Sequence, residues 1–167
     1  MRPPRIFRLS YGDFRMAVEA AALVVPIELA LHRRVSLDTL VSRLARTNRT
    51  EYHTIDIGRA ARLVEAVTAC YPAATCLKKS LILFRLLRKR GIPAELRLGV
   101  RKVDDEFSSH AWIECAGRTF LDGGTAHLYS TLSLTPALPV AGVRLPGPAS
   151  PCSRSAAAEI GKPQNVA

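Results

Sequence analysis

Three residues have side chains and spacing suited to nucleophilic catalysis, namely Cys76, His110 and Asp122. Cys76 stands where an apolar-periodic run begins, and the unpaired amides in the first turn of a helix favour the thiolate form of a cysteine. A histidine can take the proton of a thiol, and an acid can hold the histidine ring in one tautomer. These residues therefore predict a cysteine-nucleophile enzyme, in which the Cys76 amide is one donor to an oxyanion.

The relative placement of His110 and Asp122 depends on a hairpin around residues 116–118. If these three residues form the loop, Trp112 faces Asp122, and Asp122 lies diagonally next to His110 on one face of the sheet. A two-residue loop would put Asp122 on the opposite face unless a bulge intervened. The catalytic hypothesis therefore predicts the three-residue loop.

Each residue taken alone also has a plain structural interpretation. A cysteine at a helix start is commonly a small packing residue, a strand histidine is ordinary, and Asp-Gly-Gly is commonly a turn. Trp112 is either a core residue or a shield beside His110. We interpret Cys70 and Cys115 as packing residues, whereas Cys152 lies in a proline-rich tail. The order of Cys, His and Asp along the chain favours catalysis more than any one of them does.

Hydrophobic periodicity predicts the elements that must position these residues. Apolar residues recurring at three and four predict helices over about residues 10–32, 36–46, 56–70 and 76–89, with Pro26 bending or breaking the first. The last of these helices begins at the cysteine. It is expected to pack on the sheet that carries the histidine.

Strand patterns follow the nucleophile helix. Apolar and polar residues alternate over 96–100 and predict a strand, whereas the charged stretch 102–109 predicts a loop. Two short strands, 110–115 and 119–122, then form the hairpin. Helices followed by a small antiparallel sheet predict the α+β class.

Length and composition limit the architecture and the partners. A chain of 167 residues fits one domain, which we divide into a helical segment 1–70, a catalytic core 71–134 and a Pro/Ala-rich, disordered tail 135–167. The net charge of +10 fits an anionic partner, so a non-catalytic basic binding module is the rival hypothesis.

The four cysteines have no spacing typical of zinc ligands or disulfides, which favours a reducing, cytoplasmic setting without metal or cofactor. No signal peptide or membrane span is expected.

Several stretches together resemble a known family. The run CLKKSL at 76–81, the helix end LLRKRGIPA at 86–94, the tripeptide LGV at 98–100 and HAWIE at 110–114 are similar to the leader peptidase of lasso-peptide biosynthesis. This enzyme is the transglutaminase-like cysteine protease half of the B protein. The resemblance covers roughly residues 10–124 and implies a transglutaminase-like, papain-like core.

The resemblance also implies a triad and partners. It assigns Cys76, His110 and Asp122 to the protease triad, and it implies cleavage of the leader from a ribosomal precursor peptide alongside a macrolactam cyclase. No strand-rich recognition domain precedes the core, so a separate leader-recognition protein is expected, and the helix around Val18 to Leu31 is a candidate surface for it. Nucleic acid is not an expected partner. An amidase or acyltransferase on the same scaffold remains an alternative.

Overall fold

The computed structural model describes residues 10–46, 55–103 and 105–133. Four helices precede a four-stranded antiparallel sheet, which confirms the α+β class. The predicted tail 135–167 with Cys152, and residues 47–54 between the second and third predicted helices, lie outside the described residues.

Each of the four helices is preceded by a residue whose side chain caps its first turn. The helices are α1 (Tyr11–His32), α2 (Leu37–Ala45), α3 (Ile57–Ala69) and α4 (Cys76–Lys89). Their N-cap side chains are Ser10, Ser36, Asp56 and Thr75, which accept hydrogen bonds from main-chain amides. The predicted helix starts are therefore confirmed.

Pro26 lies inside α1, and the expectation that it would break the helix is wrong. Buried residues occur on both sides of it, since Met16 and Ala20 precede it and Ile27 follows it. Core packing on both sides therefore keeps the helix continuous, despite the hydrogen bond that proline cannot donate. No helix in the described ranges is long and apolar enough to cross a membrane.

The sheet contains more strand than the sequence pattern predicts. Its strands are β1 (Glu95–Val103), β2 (Glu106–Cys115), β3 (Arg118–Phe120) and β4 (Ser130–Ser133), in the order β3-β2-β1-β4. The predicted loop 102–109 is wrong, because β1 and β2 extend through most of it. Its polar side chains belong to the outer end of a hairpin, where no core imposes an apolar alternation. His110 accordingly lies inside β2 and does not open it.

One hydrophobic core joins the helices to one face of the sheet. α4 is buried along most of its length, with Leu81, Leu83 and Phe84 fully enclosed. The sheet contributes Leu96, Ile113, Cys115 and Phe120, and the first three helices contribute Ala20, Val41 and Val64, one from each. Residues on both sides of the predicted 70/71 boundary thus share this core, and α4 lies at its centre.

Candidate active site

Cys76 is the first residue of α4 and is partly buried. The Thr75 hydroxyl accepts from the Lys78 amide at 3.5 Å, and the Thr75 carbonyl accepts from the Lys79 amide at 3.1 Å. These two bonds fix the first turn of the helix, where amides point towards the N-terminal end. The predicted position of Cys76 at a helix start is therefore confirmed.

Lys78 secures the chain that leads into Cys76. Its Nζ donates to the Ala73 carbonyl at 2.8 Å, lies 5.9 Å from the centre of the Tyr71 ring, and pairs with Glu28 of α1. One cation thus ties the 71–75 loop, α4 and α1 together. The sequence gives no signal for this role of Lys78, because a lysine in a first helical turn matches no motif.

His110 lies in β2 directly opposite Gly99 of β1. Its ring lies 6.0 Å from that of Trp112 and 5.7 Å from that of Tyr129, measured between ring centres. Its Nε2 is 3.2 Å from the Leu121 carbonyl oxygen. A carbonyl can only accept, so Nε2 carries the proton in this bond and Nδ1 is the basic nitrogen of the neutral ring.

Trp112 and Tyr129 restrict the His110 ring. Trp112 is 2% exposed, so it is buried and also stacks beside the histidine. A Cβ on Gly99 would lie 2.5 Å from the Tyr129 Cβ and 2.7 Å from Trp112 Cη2, so only glycine leaves room for both rings. Tyr129 was missed because the four residues of β4 that follow it carry too short a pattern to predict a strand.

The hairpin that follows β2 has a two-residue loop, so the predicted three-residue register is wrong. Cys115 pairs with Arg118, and the loop residues Ala116 and Gly117 have φ values of 54° and 69°. This pair of positive angles is typical of a tight hairpin turn. β3 then ends at Phe120, and Leu121 has a φ of 65°, which interrupts the strand alternation before Asp122.

Asp122 lies in the turn after β3. Its carboxylate accepts from the Thr119 hydroxyl at 2.9 Å, and its carbonyl accepts from the Thr125 amide and hydroxyl at 3.1 and 2.7 Å. Within the described ranges no hydrogen bond joins this carboxylate to His110. The histidine is held instead by the carbonyl of Leu121, the residue just before Asp122.

Ser80 anchors α4 to β2 at the residue that follows His110. Its hydroxyl is fully buried and donates to the Ala111 carbonyl at 3.0 Å. Cys76 lies four residues earlier and therefore on the same face of α4, one turn closer to the N-terminus. The thiol and the ring share no hydrogen bond in the part of the chain that is described. Such bonds often form only when substrate is bound.

Two other thiols can be compared with Cys76. Cys115 is buried, its Sγ donates to the Pro93 carbonyl at 3.0 Å, and burial raises the pKa of this thiol. Its interpretation as a packing residue is confirmed. Cys70 is exposed at the end of α3, so its interpretation as a packing residue is wrong.

A cleft of about 380 Å³ lies at the opposite end of α4. Its lining includes Asp13 and Glu19 of α1, Arg59 of α3, and Lys89 and Arg90 at the end of α4. A helix rises about 1.5 Å per residue, so the 14 residues of α4 put Cys76 roughly 20 Å away. The cleft therefore contains none of the predicted catalytic residues.

No group of three or more His, Cys, Asp or Glu side chains in the described ranges could hold a metal ion. Comparison with curated proteins and with solved structures gives no match. The sequence model of the Transglutaminase-like superfamily, in contrast, matches residues 21–134, which include α4, His110 and Asp122 and make up more than half of the chain. The chain therefore belongs to the Transglutaminase-like superfamily.

Proposed function

We propose that the protein is a cysteine peptidase that removes the leader from a ribosomally made lasso-peptide precursor. The observation that carries this proposal is the hydrogen bond from Ser80 to the Ala111 carbonyl, which anchors the helix that begins with Cys76 to the strand that carries His110. Membership of the Transglutaminase-like superfamily supports peptidase or acyl-transfer chemistry at a cysteine. The sequence resemblance to the leader peptidase supports the finer assignment.

In the proposed reaction, Cys76 Sγ attacks the scissile carbonyl while His110 Nδ1 takes the thiol proton. The tetrahedral oxyanion is stabilised by the Cys76 amide, and its collapse breaks the C–N bond as His110 returns the proton to the leaving amine. The resulting thioester is hydrolysed by water that His110 activates. This thiol chemistry needs no cofactor.

Asp122 is the proposed third member of the triad. It follows Leu121, whose carbonyl holds His110 Nε2, so a small rotation in this turn would bring the carboxylate to the same nitrogen. A carboxylate there would stabilise the imidazolium formed during the reaction, which a carbonyl does less well. The Trp112 and Tyr129 rings, which also lie 6.2 Å from each other, leave the histidine few other orientations.

An exposed apolar stripe on α1 supports docking of the proposed leader-recognition protein. The side chains of the stripe recur at about three and four residues and are each at least 45% exposed: Tyr11, Phe14, Val18, Val25 and Leu29. A contiguous apolar stripe on a helix commonly marks an interaction surface. Glu28 pairs with Lys78 beside Cys76, so a partner bound to the C-terminal half of the stripe, at Val25 and Leu29, would lie close to the proposed site.

Reconstitution tests the proposal directly. The protein is incubated with its recognition protein and candidate precursor peptides, and the products are weighed by mass spectrometry. We expect two fragments whose masses add up to precursor plus one water. Cys70→Ala, which changes an exposed thiol six residues away, should cleave normally, whereas Cys76→Ala should not.

Other outcomes would identify the rivals. A product in which an amine has replaced water would indicate an acyltransferase on the same scaffold. Binding that falls steeply with salt, with no turnover and no effect of Cys76→Ala, would indicate a basic binding module.

A further inference from the structure

We propose that Arg101 forms a subsite for a carboxylate side chain of the peptide substrate, close to the scissile bond and on its acyl side. The inference rests on the proposed peptidase function and adds a specificity determinant to it. It is carried by the position, the contacts and the lack of a charged partner of Arg101.

Arg101 lies on the same face of the sheet as His110. Gly99 is paired with His110 across β1 and β2, and Arg101 is two residues further along β1. Residues two apart on a strand share a face, and so do directly opposite residues. The register of β4, continued by one residue, places Tyr129 opposite Arg101.

Tyr129 connects Arg101 to the proposed base. The Arg101 guanidinium carbon lies 5.1 Å from the centre of the Tyr129 ring, and that ring is 5.7 Å from His110. A guanidinium held over an aromatic ring loses little further freedom when it binds a ligand. Tyr129 thus fixes both the histidine and the cation in one local arrangement.

The other two cations of β1 have carboxylate partners. Arg97 pairs with Glu95 at 2.8 Å and with Glu114 at 2.9 Å, and Lys102 pairs with Asp105. Arg101, in contrast, forms no ion pair in the described ranges, and its buried Nε has no hydrogen-bond partner. A buried N–H without an acceptor is unfavourable, and a carboxylate could accept two parallel hydrogen bonds from a guanidinium.

The distance between the two groups limits where the carboxylate would sit. Diagonal neighbours on adjacent strands are about 7–8 Å apart, which an extended peptide spans in two or three residues. The acyl part of the substrate stays on Cys76 until the thioester is hydrolysed. An anchor on the acyl side would hold the substrate through both acylation of Cys76 and hydrolysis of the thioester. The carboxylate is therefore expected on that side.

Peptidyl acyloxymethyl ketones, which alkylate active-site thiols, provide the probe. Matched peptides carry Asp, Asn or Lys at each of the three positions before the ketone in turn, and Cys76 labelling is followed by mass spectrometry. At one of these positions we expect the Asp probe to label Cys76 about tenfold faster than the Asn probe. Added salt should reduce this preference.

Variants then assign the preference to Arg101. Arg101→Gln should label with Asp and Asn probes at nearly equal rates, and Arg101→Glu should favour Lys. The matched control is Lys102→Gln, which loses the same charge from the next residue on the opposite face and should keep the wild-type preference. Circular dichroism checks that each variant is folded. The comparison of Asp, Asn and Lys probes on the wild-type protein tests the subsite even if a variant fails to fold.

The outcomes separate this inference from the function on which it rests. Equal labelling of Cys76 by all three probes at every position, or an unchanged Asp preference in Arg101→Gln, would overturn the subsite and leave the thiol enzyme standing. If no probe labels Cys76 ahead of the exposed Cys70, the proposed function is wrong and the subsite with it.

Discussion

The two ends of α4 differ in the ion pairs around them, although the buried Nε of Arg88 near the C-terminal end also has no hydrogen-bond partner among the described residues. At the C-terminal end, the Glu19 carboxylate lies 3.0 Å from Arg90, 3.3 Å from Arg15 and 3.4 Å from Lys89. On the sheet, the buried Nε of Arg101 has no acceptor within the described ranges, and His110 uses Nε2 in its hydrogen bond to Leu121, which leaves Nδ1 available. Unmet polar groups cost stability, so an arginine without an ion pair on the sheet face that carries His110 fits the proposed site better than a purely structural role.

The same contrast appears in two cysteines. Cys76 opens α4 and is partly exposed, whereas Cys115 ends β2, is buried and is hydrogen-bonded to the carbonyl of Pro93, just beyond the far end of the helix. Burial raises the pKa of the Cys115 thiol and keeps it protonated. Residue type alone does not distinguish these thiols, so the local structure must decide which one can react.

Replacing Cys76 or Cys115 should produce the largest of the predicted effects, on turnover in one case and on stability in the other. Cys76→Ala should lower turnover by at least about 10³-fold, because no other group can form the acyl-enzyme, and should leave stability within about 1 kcal/mol. Cys115→Ala should instead cost about 1–2 kcal/mol of stability, through a lost hydrogen bond and a small cavity, and leave turnover nearly unchanged. Precursor cleavage and urea unfolding measure the two effects. Normal turnover in Cys76→Ala would contradict the assignment of the nucleophile.

Asp122→Asn should produce the next largest effect. The amide keeps the shape and can still accept from Thr119, but it cannot stabilise an imidazolium, so turnover should fall by about 10²-fold or more. Asp105→Asn is the control, because Asp105 is exposed in another turn and Asn tolerates its positive φ of 67°. If Asp122→Asn lost less than about threefold, the Leu121 carbonyl alone would be sufficient to orient His110.

Sequence reasoning found the elements that depend on local signals. Apolar periodicity marked the four helix starts, including that of α4 at Cys76, and a capping side chain precedes each of them. These signals work because a cap and the first apolar residues lie within one turn of each other.

The geometry around the histidine depended on signals that the sequence does not contain. The hairpin register changed because Ala116 adopts a positive φ that glycine or asparagine would normally indicate. Tyr129 reaches His110 only because β4 pairs with β1, a contact made across some thirty residues of chain. Lys78 secures the loop before Cys76 through α1, which no local pattern reveals.

Removing the central charge at the paired end should have a moderate effect on stability. Glu19→Gln would leave Arg90 and Lys89 close together without their carboxylate, and should lower the free energy of unfolding by about 1–2 kcal/mol. Glu65→Gln, an exposed change on α3, should have almost none. Turnover per folded molecule should be unaffected in both, since Glu19 lies near the far end of α4. A loss of turnover in folded Glu19→Gln would show that the two ends are coupled.

Lowering the pH should gradually reduce the free energy of unfolding that the carboxylates near the C-terminal end of α4 contribute. This is the smallest of the predicted effects. Burial acts to raise the pKa of Glu19, but Arg90 and Lys89 outweigh it and lower this pKa from its ordinary 4.5, while hydrogen bonds from Ser10 lower the pKa of Asp13 from 3.8. A carboxylate with a lowered folded pKa stabilises the protein fully above its ordinary value, and this stability is lost as the pH falls through the folded value. The difference in unfolding free energy between wild type and Glu19→Gln should therefore be constant near neutral pH and should shrink below about pH 4.5. A difference that persisted unchanged in strong acid would mean that Glu19 acts through packing and not through its charge.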